Sequence, residues 1–282
     1  MQFVPMAELL QDAYAKGYAV PSFTFWGAEG IAVILRVAEQ MRAPVILMNG
    51  PSEFLVLTPR DHGAIAYRLS EFSQARAALL LDHGDSLEQV EACLAAGYTS
   101  TMLDYSSRPL EENIAAMQQV VTMAGPRGAT VEGEIGVVGR VGAAVEGGKD
   151  SSLTDPTKAA DYVARTGVDA LAVSIGNAHG AYTALPRFDF DRLAELREAV
   201  SVPLVLHGGS GTPPEDLKRA ISLGIAKVNI ATELVLALRG SLESQWEQEP
   251  GLWLPLALVP AMEAMGEVVA KWIRLTGAEG KA

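Results

Sequence analysis

Residues 203–230 read PLVLHGGSGTPPEDLKRAISLGIAKVNI. A short apolar run ends in His207 and a glycine-rich turn, and a Pro213-Pro214 pair then suits the opening of a helix. The amphipathic segment that follows closes at Gly224, and a second apolar run occupies 225–230. This is a strand, a crossover helix and a second strand, the connection that parallel pairing requires. The same unit recurs along the chain. Apolar runs lie at 18–23, 44–48, 77–82, 99–104, 129–134, 169–175, 203–207 and 225–230, with starts separated by 26, 33, 22, 30, 40, 34 and 22 residues. Val45-Ile46-Leu47-Met48 and Leu171-Ala172-Val173 are continuously apolar, as strands buried on both faces should be. Between the runs, 87–96 ends at Gly97, a suitable C′ residue, and Asp155-Pro156 supplies an N-cap and a first-turn proline. Eight such units in about 230 residues predict an α/β chain folded as a (β/α)₈ TIM barrel rather than an open doubly wound sheet.

Composition narrows the function classes. The 282 residues carry 34 acidic and 22 basic side chains, a net charge of −12, with 49% hydrophobic and 20% charged residues. That balance excludes a disordered chain. An acidic chain without a Lys/Arg run is not expected to bind nucleic acid. Met1 and the residues after it have no basic-then-apolar leader pattern, and no stretch approaches the length of a membrane span. The single Cys93 excludes an internal disulfide framework. A soluble, cytoplasmic enzyme is expected. No composition break divides the chain, so 1–282 is read as one barrel domain with a C-terminal helical extension from about 241. Within that extension, 252–259 is apolar and could pack at an interface or close the bottom of the barrel. The longest stretch without a pattern, 136–152, is glycine-rich, and a loop of that length in a barrel is functional or mobile.

Active sites of such barrels sit at the C-terminal ends of the strands, and chemically able residues gather there. His83, His179 and His207 each follow an apolar run and each precedes a glycine, Gly84, Gly180 and Gly208. One such histidine would read as an ordinary satisfied polar residue. Three of the four in the chain at equivalent places suit a Zn²⁺ site with one position open. The fourth, His62, stands at a helix start and is read as solvated. Asp82, Asp104, Glu132 and Glu134 lie at the same rim, and period-2 alternation puts Glu132 and Glu134 on one face. Such carboxylates serve as ligands, as partners of ligands or as proton carriers, and Asp104 reads equally well as a loop cap. The glycine turn at 207–211 and the segment 228–232 each lead into a helix, where backbone N–H groups suit an anion such as phosphate. No lysine stands at a strand end. Lys158 and Lys218 lie in helical patterns and Lys227 is read as alternating away from the neighbours of Asn229, which disfavours a Schiff-base route.

Taken together, YAVPSF, APVIL, LLLDHGDS, TMLDYSS, LEENI, VEGEIG, GVDALAVSIGNAHGAY, LVLHGGSG and AKVNIATEL resemble the class II, zinc-dependent fructose-bisphosphate and tagatose-bisphosphate aldolase family, in the family's order over roughly residues 15–240. The resemblance implies zinc on His83, His179 and His207, with Glu134 as a carboxylate that binds metal at an alternative position. It implies Asp82 as the catalytic acid/base. It further implies donor-binding roles for Gly180, Gly208, Gly209, Ser210, Asn229, Ala231 and Thr232, with a monovalent cation near the same loops in some members. The implied reaction is a reversible retro-aldol cleavage of a ketose phosphate or bisphosphate to dihydroxyacetone phosphate and an aldehyde. Zinc would polarise the ketose carbonyl, and Asp82 would take the C4 hydroxyl proton. The second proton carrier of the family lies on the loop after the fifth strand, where Glu146 is the only glutamate nearby. Family members assemble as homodimers or homotetramers.

The departures from the family pattern concern substrate. Thr183 stands where relatives place a lysine for the donor phosphate, Ser22-Phe23-Thr24 replaces the usual AFN, and Met262 stands where many relatives have a basic residue for a distal phosphate. Lost cations remove charge-assisted contacts to phosphate, though Arg187 or Arg140 could compensate one of them. An alternative is therefore a related zinc aldolase acting on a non-phosphorylated or otherwise anionic ketose, a sulfonated one for example, that releases dihydroxyacetone. A chaperone-like relative without activity would have no need of Asp82 and three histidines, and a metal hydrolase would not carry the accompanying motifs.

Overall fold

Each apolar run forms a strand: β1 Val20–Thr24, β2 Val45–Asn49, β3 Ala77–Gly84, β4 Ser100–Leu103, β5 Thr130–Ile135, β6 Ala170–Val173, β7 Leu204–Leu206 and β8 Ile225–Ile230. In the computed structural model, which describes residues 3–140, 153–180 and 186–282, these strands close into one parallel barrel in sequence order, with β8 returning to β1. The register of β2 on β3 is unbroken from Val45↔Ala77 to Asn49↔Leu81. The helices are α1 Met6–Lys16, α2 Ala28–Gln40, α3 Pro59–Ser70, α4 Leu87–Ala95, α5 Leu110–Ala124, α6 Pro156–Thr166, α7 Phe190–Ala199, α8 Pro214–Ser222, α9 Thr232–Gln248 and α10 Leu254–Leu275. The N-cap read at Asp155 is present: its carboxylate accepts from the N–H groups of Thr157 and Lys158 at 2.9 and 3.1 Å. No helix among the described residues is long and apolar enough to cross a membrane.

The first helix precedes the first strand and has no counterpart in the eight-unit reading. Its opening N–H groups lack intrahelical partners. Met6 N–H donates to Ser100 Oγ at 3.0 Å and Ala7 N–H to Thr130 Oγ1 at 2.8 Å, at the first residues of β4 and β5. Met6, Leu9, Leu10 and Ala13 are fully buried, so α1 covers the N-terminal end of the barrel opposite the site. The segment 252–259 does not close that end: Trp253, Leu256 and Val259 are exposed, while the later part of α10 buries Met265, Val269, Trp272 and Ile273. That later part packs along α2 and α9.

His62 is also placed differently from its reading as a solvated residue. It is fully buried within α3, with Nε2 3.2 Å from the Glu53 carbonyl and its ring against Phe25 and Phe54. The polar run Pro59-Arg60-Asp61 faces outward in the first helical turn, and Asp61 completes a capping box with Thr58. The next position therefore turns inward, which a polar window average conceals.

Candidate active site

Consecutive strand residues normally point to opposite faces, yet Asp82 and His83 both reach the barrel mouth. The reason is local. The pairing of β3 with β4 shifts register between Leu81 and Gly84, and His83 adopts φ +49°, in the left-handed region that non-glycine residues avoid. Strain of this kind persists only where surrounding contacts over-determine it. Here they do: His83 Nδ1 donates to Asp104 Oδ2 at 2.7 Å, and Asp104 Oδ1 accepts from Ser106 N at 3.1 Å and Ser106 Oγ at 2.7 Å. Asp104 is thus a loop cap and a histidine partner at once. With Nδ1 committed, the buried Nε2 of His83 faces the site without a hydrogen-bond partner.

His207 follows β7 and is fully buried. Its Nε2 donates to Glu132 Oε1 at 2.8 Å, and its Nδ1 stands 3.2 Å from Glu134 Oε2. Glu132 and Glu134 therefore share the inner face of β5, as alternation requires. His179 sits beyond the end of β6, on a two-residue strand, Ala178–His179, paired in parallel with Gly139–Arg140. Asn177 ties that excursion down, accepting from Ile175 N–H at 2.9 Å and donating to the His207 carbonyl at 3.0 Å. The sequence reading did not single out Asn177, whose only signal is its place two residues before His179.

The three imidazoles converge. Ring centroids are 4.6 Å apart for His83 and His207, 5.0 Å for His83 and His179, and 5.7 Å for His179 and His207. One nitrogen from each lies within 4.8 Å of the others. His83 Nε2, His207 Nδ1 and Glu134 Oε2 are all buried without a hydrogen bond, and leaving such atoms unpaired costs about 1–3 kcal/mol each. Three nitrogen donors with an adjoining carboxylate fit a divalent cation with an open position, the donor set that zinc favours. A cavity of about 230 Å³ beside them is lined by His83, Asp104, Ser106, Ser107, Glu134 and His179.

Charge in the site is strongly coupled. Burial alone would raise the Asp82 carboxyl, but His83, His207 and the Lys227 ammonium outweigh it and hold it below the ordinary range. Burial likewise opposes the charge on Glu132, and Lys227 and His207 reverse the effect. His207 is pushed up to about 10, because its carboxylate partners Glu132 and Glu134 outweigh burial. Asn229 Nδ2 donates to Asp82 Oδ1 at 2.9 Å and so fixes that carboxylate.

Lys227 corrects the reading that it alternates away from this region. Residues two apart on a strand share a face, so Lys227 points inward with Asn229. It is fully buried, and its Nζ donates to Glu132 Oε2 at 2.8 Å.

The glycine turn after β7 is built by close backbone approach. Gly208 has φ +66°, and a Cβ there would lie 2.0 Å from the Ala178 carbonyl oxygen. A Cβ on Gly209 would meet Val228 Cγ1 at 2.4 Å. Two N–H groups of this turn are committed within the protein: Gly209 donates to the Asn229 carbonyl at 2.9 Å and Gly211 to Glu233 Oε1 at 2.9 Å. Ser210 Oγ accepts from Glu233 N–H at 3.3 Å, which joins the turn to the first residues of α9, beside Ala231 and Thr232. Gly180 follows His179 with φ +109°. Glu146 and Thr183 lie outside the described residues.

A family model described as fructose-bisphosphate aldolase class-II matches residues 4–281. The crystal structure of the YdjI aldolase from Escherichia coli K12 is similar over 100% of both chains, with 35% sequence identity and a TM-score of 0.88. A fructose-bisphosphate aldolase from Campylobacter jejuni shares the fold at 22% identity and a TM-score of 0.83, over 100% of this chain and 97% of its own. With matched residues that span nearly the whole chain and include every histidine and carboxylate of the converging site, the protein belongs to the class II fructose-bisphosphate aldolase family.

Proposed function

We propose that this aldolase is zinc-dependent and catalyses the reversible retro-aldol cleavage of a ketose phosphate or bisphosphate to dihydroxyacetone phosphate and an aldehyde. The observation that carries the proposal is the meeting of three imidazoles, two with orphaned ring nitrogens, beside a carboxylate fixed by Asn229. His83, His179 and His207 would hold the ion, with Glu134 in reach as an alternative ligand. A zinc ion bound there would polarise the ketose C2 carbonyl and stabilise the negative charge left when the C3–C4 bond breaks.

The remaining work falls to the chain's own groups. Asp82, held below its ordinary range and so ionised at neutral pH, accepts the C4 hydroxyl proton during cleavage and returns it during condensation. Asn229 occupies Oδ1, which leaves Oδ2 for the substrate hydroxyl. Glu146 is assigned the proton transfer at C3. Gly180, Gly208, Gly209, Ser210, Asn229, Ala231 and Thr232 are assigned to the donor end, where the α9 N-terminus favours an anion. Lys227 is buried but committed to Glu132, so the chain offers no free inward amine on β8 for a Schiff base.

Removal of metal by a chelator should abolish cleavage and added zinc should restore it; full activity in metal-free protein would overturn the proposal. Thr183 in place of a phosphate-binding lysine favours a second reading, in which the donor is dihydroxyacetone or carries another anionic group. Comparison of dihydroxyacetone with dihydroxyacetone phosphate in the condensation direction separates the two, since a strong preference for the phosphate excludes the second. We also assign a homo-oligomeric state, supported by the exposed Val235, Leu236, Trp253, Leu256 and Val259 on or beside α9 and α10; light scattering at the monomer mass would exclude it.

A further inference from the structure

We propose that Lys227 is a positioning residue for the metal centre, acting through Glu132 on the orientation of His207 and on where in the site a cation settles. The proposal rests on the metal dependence proposed above.

Lys227, Glu132 and His207 form an unbroken chain through the barrel interior, from β8 to β5 to the end of β7. Nζ donates to Glu132 Oε2 at 2.8 Å and His207 Nε2 donates to Glu132 Oε1 at 2.8 Å. All three side chains are fully buried. Fold stability does not account for this arrangement. Lysine is almost never fully buried unless paired, and exchange of a buried ion pair for apolar residues of similar volume is often neutral or stabilising.

The geometry gives it two tasks. First, the ammonium occupies Oε2, so Glu132 has Oε1 left for His207 and meets it only as an acceptor. His207 must then donate from Nε2 and present the lone pair of Nδ1 toward His83 and His179. Outer partners of this kind fix the tautomer and ring orientation of metal-binding histidines. Second, three overlapping sets of donors among the described residues could take a cation, and two of them share His207. One is His83, His179 and His207; the other is Asp82, Glu132 and His207. A cation in the second set would take up Asp82, the assigned proton carrier. The Lys227 ammonium already occupies Glu132 and repels a cation from that deeper position, which favours the three imidazoles over it.

The test is metal binding rather than turnover alone. Zinc affinity is measured by competition with a chromophoric chelator, and the ligand set is read from the visible absorption of the Co²⁺-substituted protein. Lys227→Met keeps the side-chain length and removes the charge. It should weaken zinc binding by about tenfold or more, the range for loss of an outer partner of a ligand, and change the Co²⁺ spectrum. A folded Lys227→Met protein with unaltered zinc affinity and an unaltered spectrum would overturn the proposal, whatever its thermal stability. Glu132→Gln supplies a second background in which Lys227 has no carboxylate to act through. There, addition of Lys227→Met should change zinc affinity less than about twofold, because coupled residues are non-additive. A further tenfold loss in that background would also overturn it, and this arm holds even if the single variant fails to fold. Wild-type protein that binds neither zinc nor cobalt would instead refute the metal dependence itself, and the Lys227 proposal with it.

Discussion

Truncation of Asp104 tests how the site holds its first imidazole. In Asp104→Ala, His83 Nδ1 loses its 2.7 Å acceptor, and Ser106 loses the cap that shapes the loop after β4. Nothing then fixes which nitrogen of His83 carries the proton or how the ring is turned, and the left-handed backbone at His83 loses one of the contacts that hold it. A hydrogen bond to a charged group contributes about 1.5–3 kcal/mol. The His83 and Asp104 side chains retain 25% and 29% exposure, so solvent screening places the expected loss in the lower part, about 1.5–2 kcal/mol. Tenfold in affinity is about 1.4 kcal/mol, so zinc binding should weaken about 10- to 30-fold. Asp104→Asn keeps an acceptor oxygen without the charge. Neutral hydrogen bonds are roughly half as strong, so about 3- to 5-fold is expected. Chelator competition at fixed pH measures both. Zinc affinity equal to wild type in both variants would refute an orienting role for Asp104. A loss beyond about 10⁴-fold would show instead that Asp104 is itself a ligand, since outer partners contribute about 10- to 100-fold.

Asp82→Ala should retain stoichiometric zinc yet lose about 10²–10⁴ in cleavage rate, the range for a positioned general base; metal analysis and a coupled retro-aldol assay on one sample decide it, and retained turnover rejects the role. The metal-free protein should become less stable as pH rises from 7 toward 10. His207 is pushed up to about 10 by Glu132 and Glu134. A raised folded-state value contributes stability that is complete below the ordinary 6.5 and lost as pH rises through the folded value. Calorimetry of the metal-free protein should show this fall, and a flat profile over that window would contradict it. By the same proton competition, zinc affinity should fall as pH is lowered, and a pH-independent affinity would argue against histidine ligation. Gly208→Ala should destabilise by at least about 1–3 kcal/mol, because a Cβ at φ +66° is strained and meets the Ala178 carbonyl oxygen at 2.0 Å; an unchanged Tm would mean the backbone relaxes freely there.

Much of the site was legible because a barrel converts chain position into spatial position. A residue after an apolar run lands at the mouth, and His83 and His207 could be assigned from that alone. His179 could be placed only approximately, since β6 stops at Val173 and the histidine belongs to a separate two-residue strand. That excursion depends on Asn177 reaching the His207 carbonyl, a contact between segments that no local pattern encodes. The helix α1 was missed for a related reason: it occupies no place in the strand–helix repeat, and its partners Ser100 and Thr130 are distant in sequence. Lys227 shares the inner face of β8 with Asn229 by the period-2 rule, and only its partner Glu132, brought up from β5, makes a buried lysine tenable there.

The sequence by itself determined the barrel, the identity of the three converging histidines and the neighbouring Asp82, since period and strand-end position are local properties that recur through the chain. Only the tertiary structure decided how those groups are held. Which nitrogen of His83 and His207 faces the site depends on carboxylates from other strands, Asp104 and Glu132. That Asp82 and His83 face the mouth together depends on a register shift against β4. That Lys227 reaches the histidine cluster through Glu132 depends on a contact spanning 95 residues of sequence. Hydrogen-bond direction and buried charge pairing are properties of atoms brought together by closure of the barrel, and no periodicity along the chain carries them.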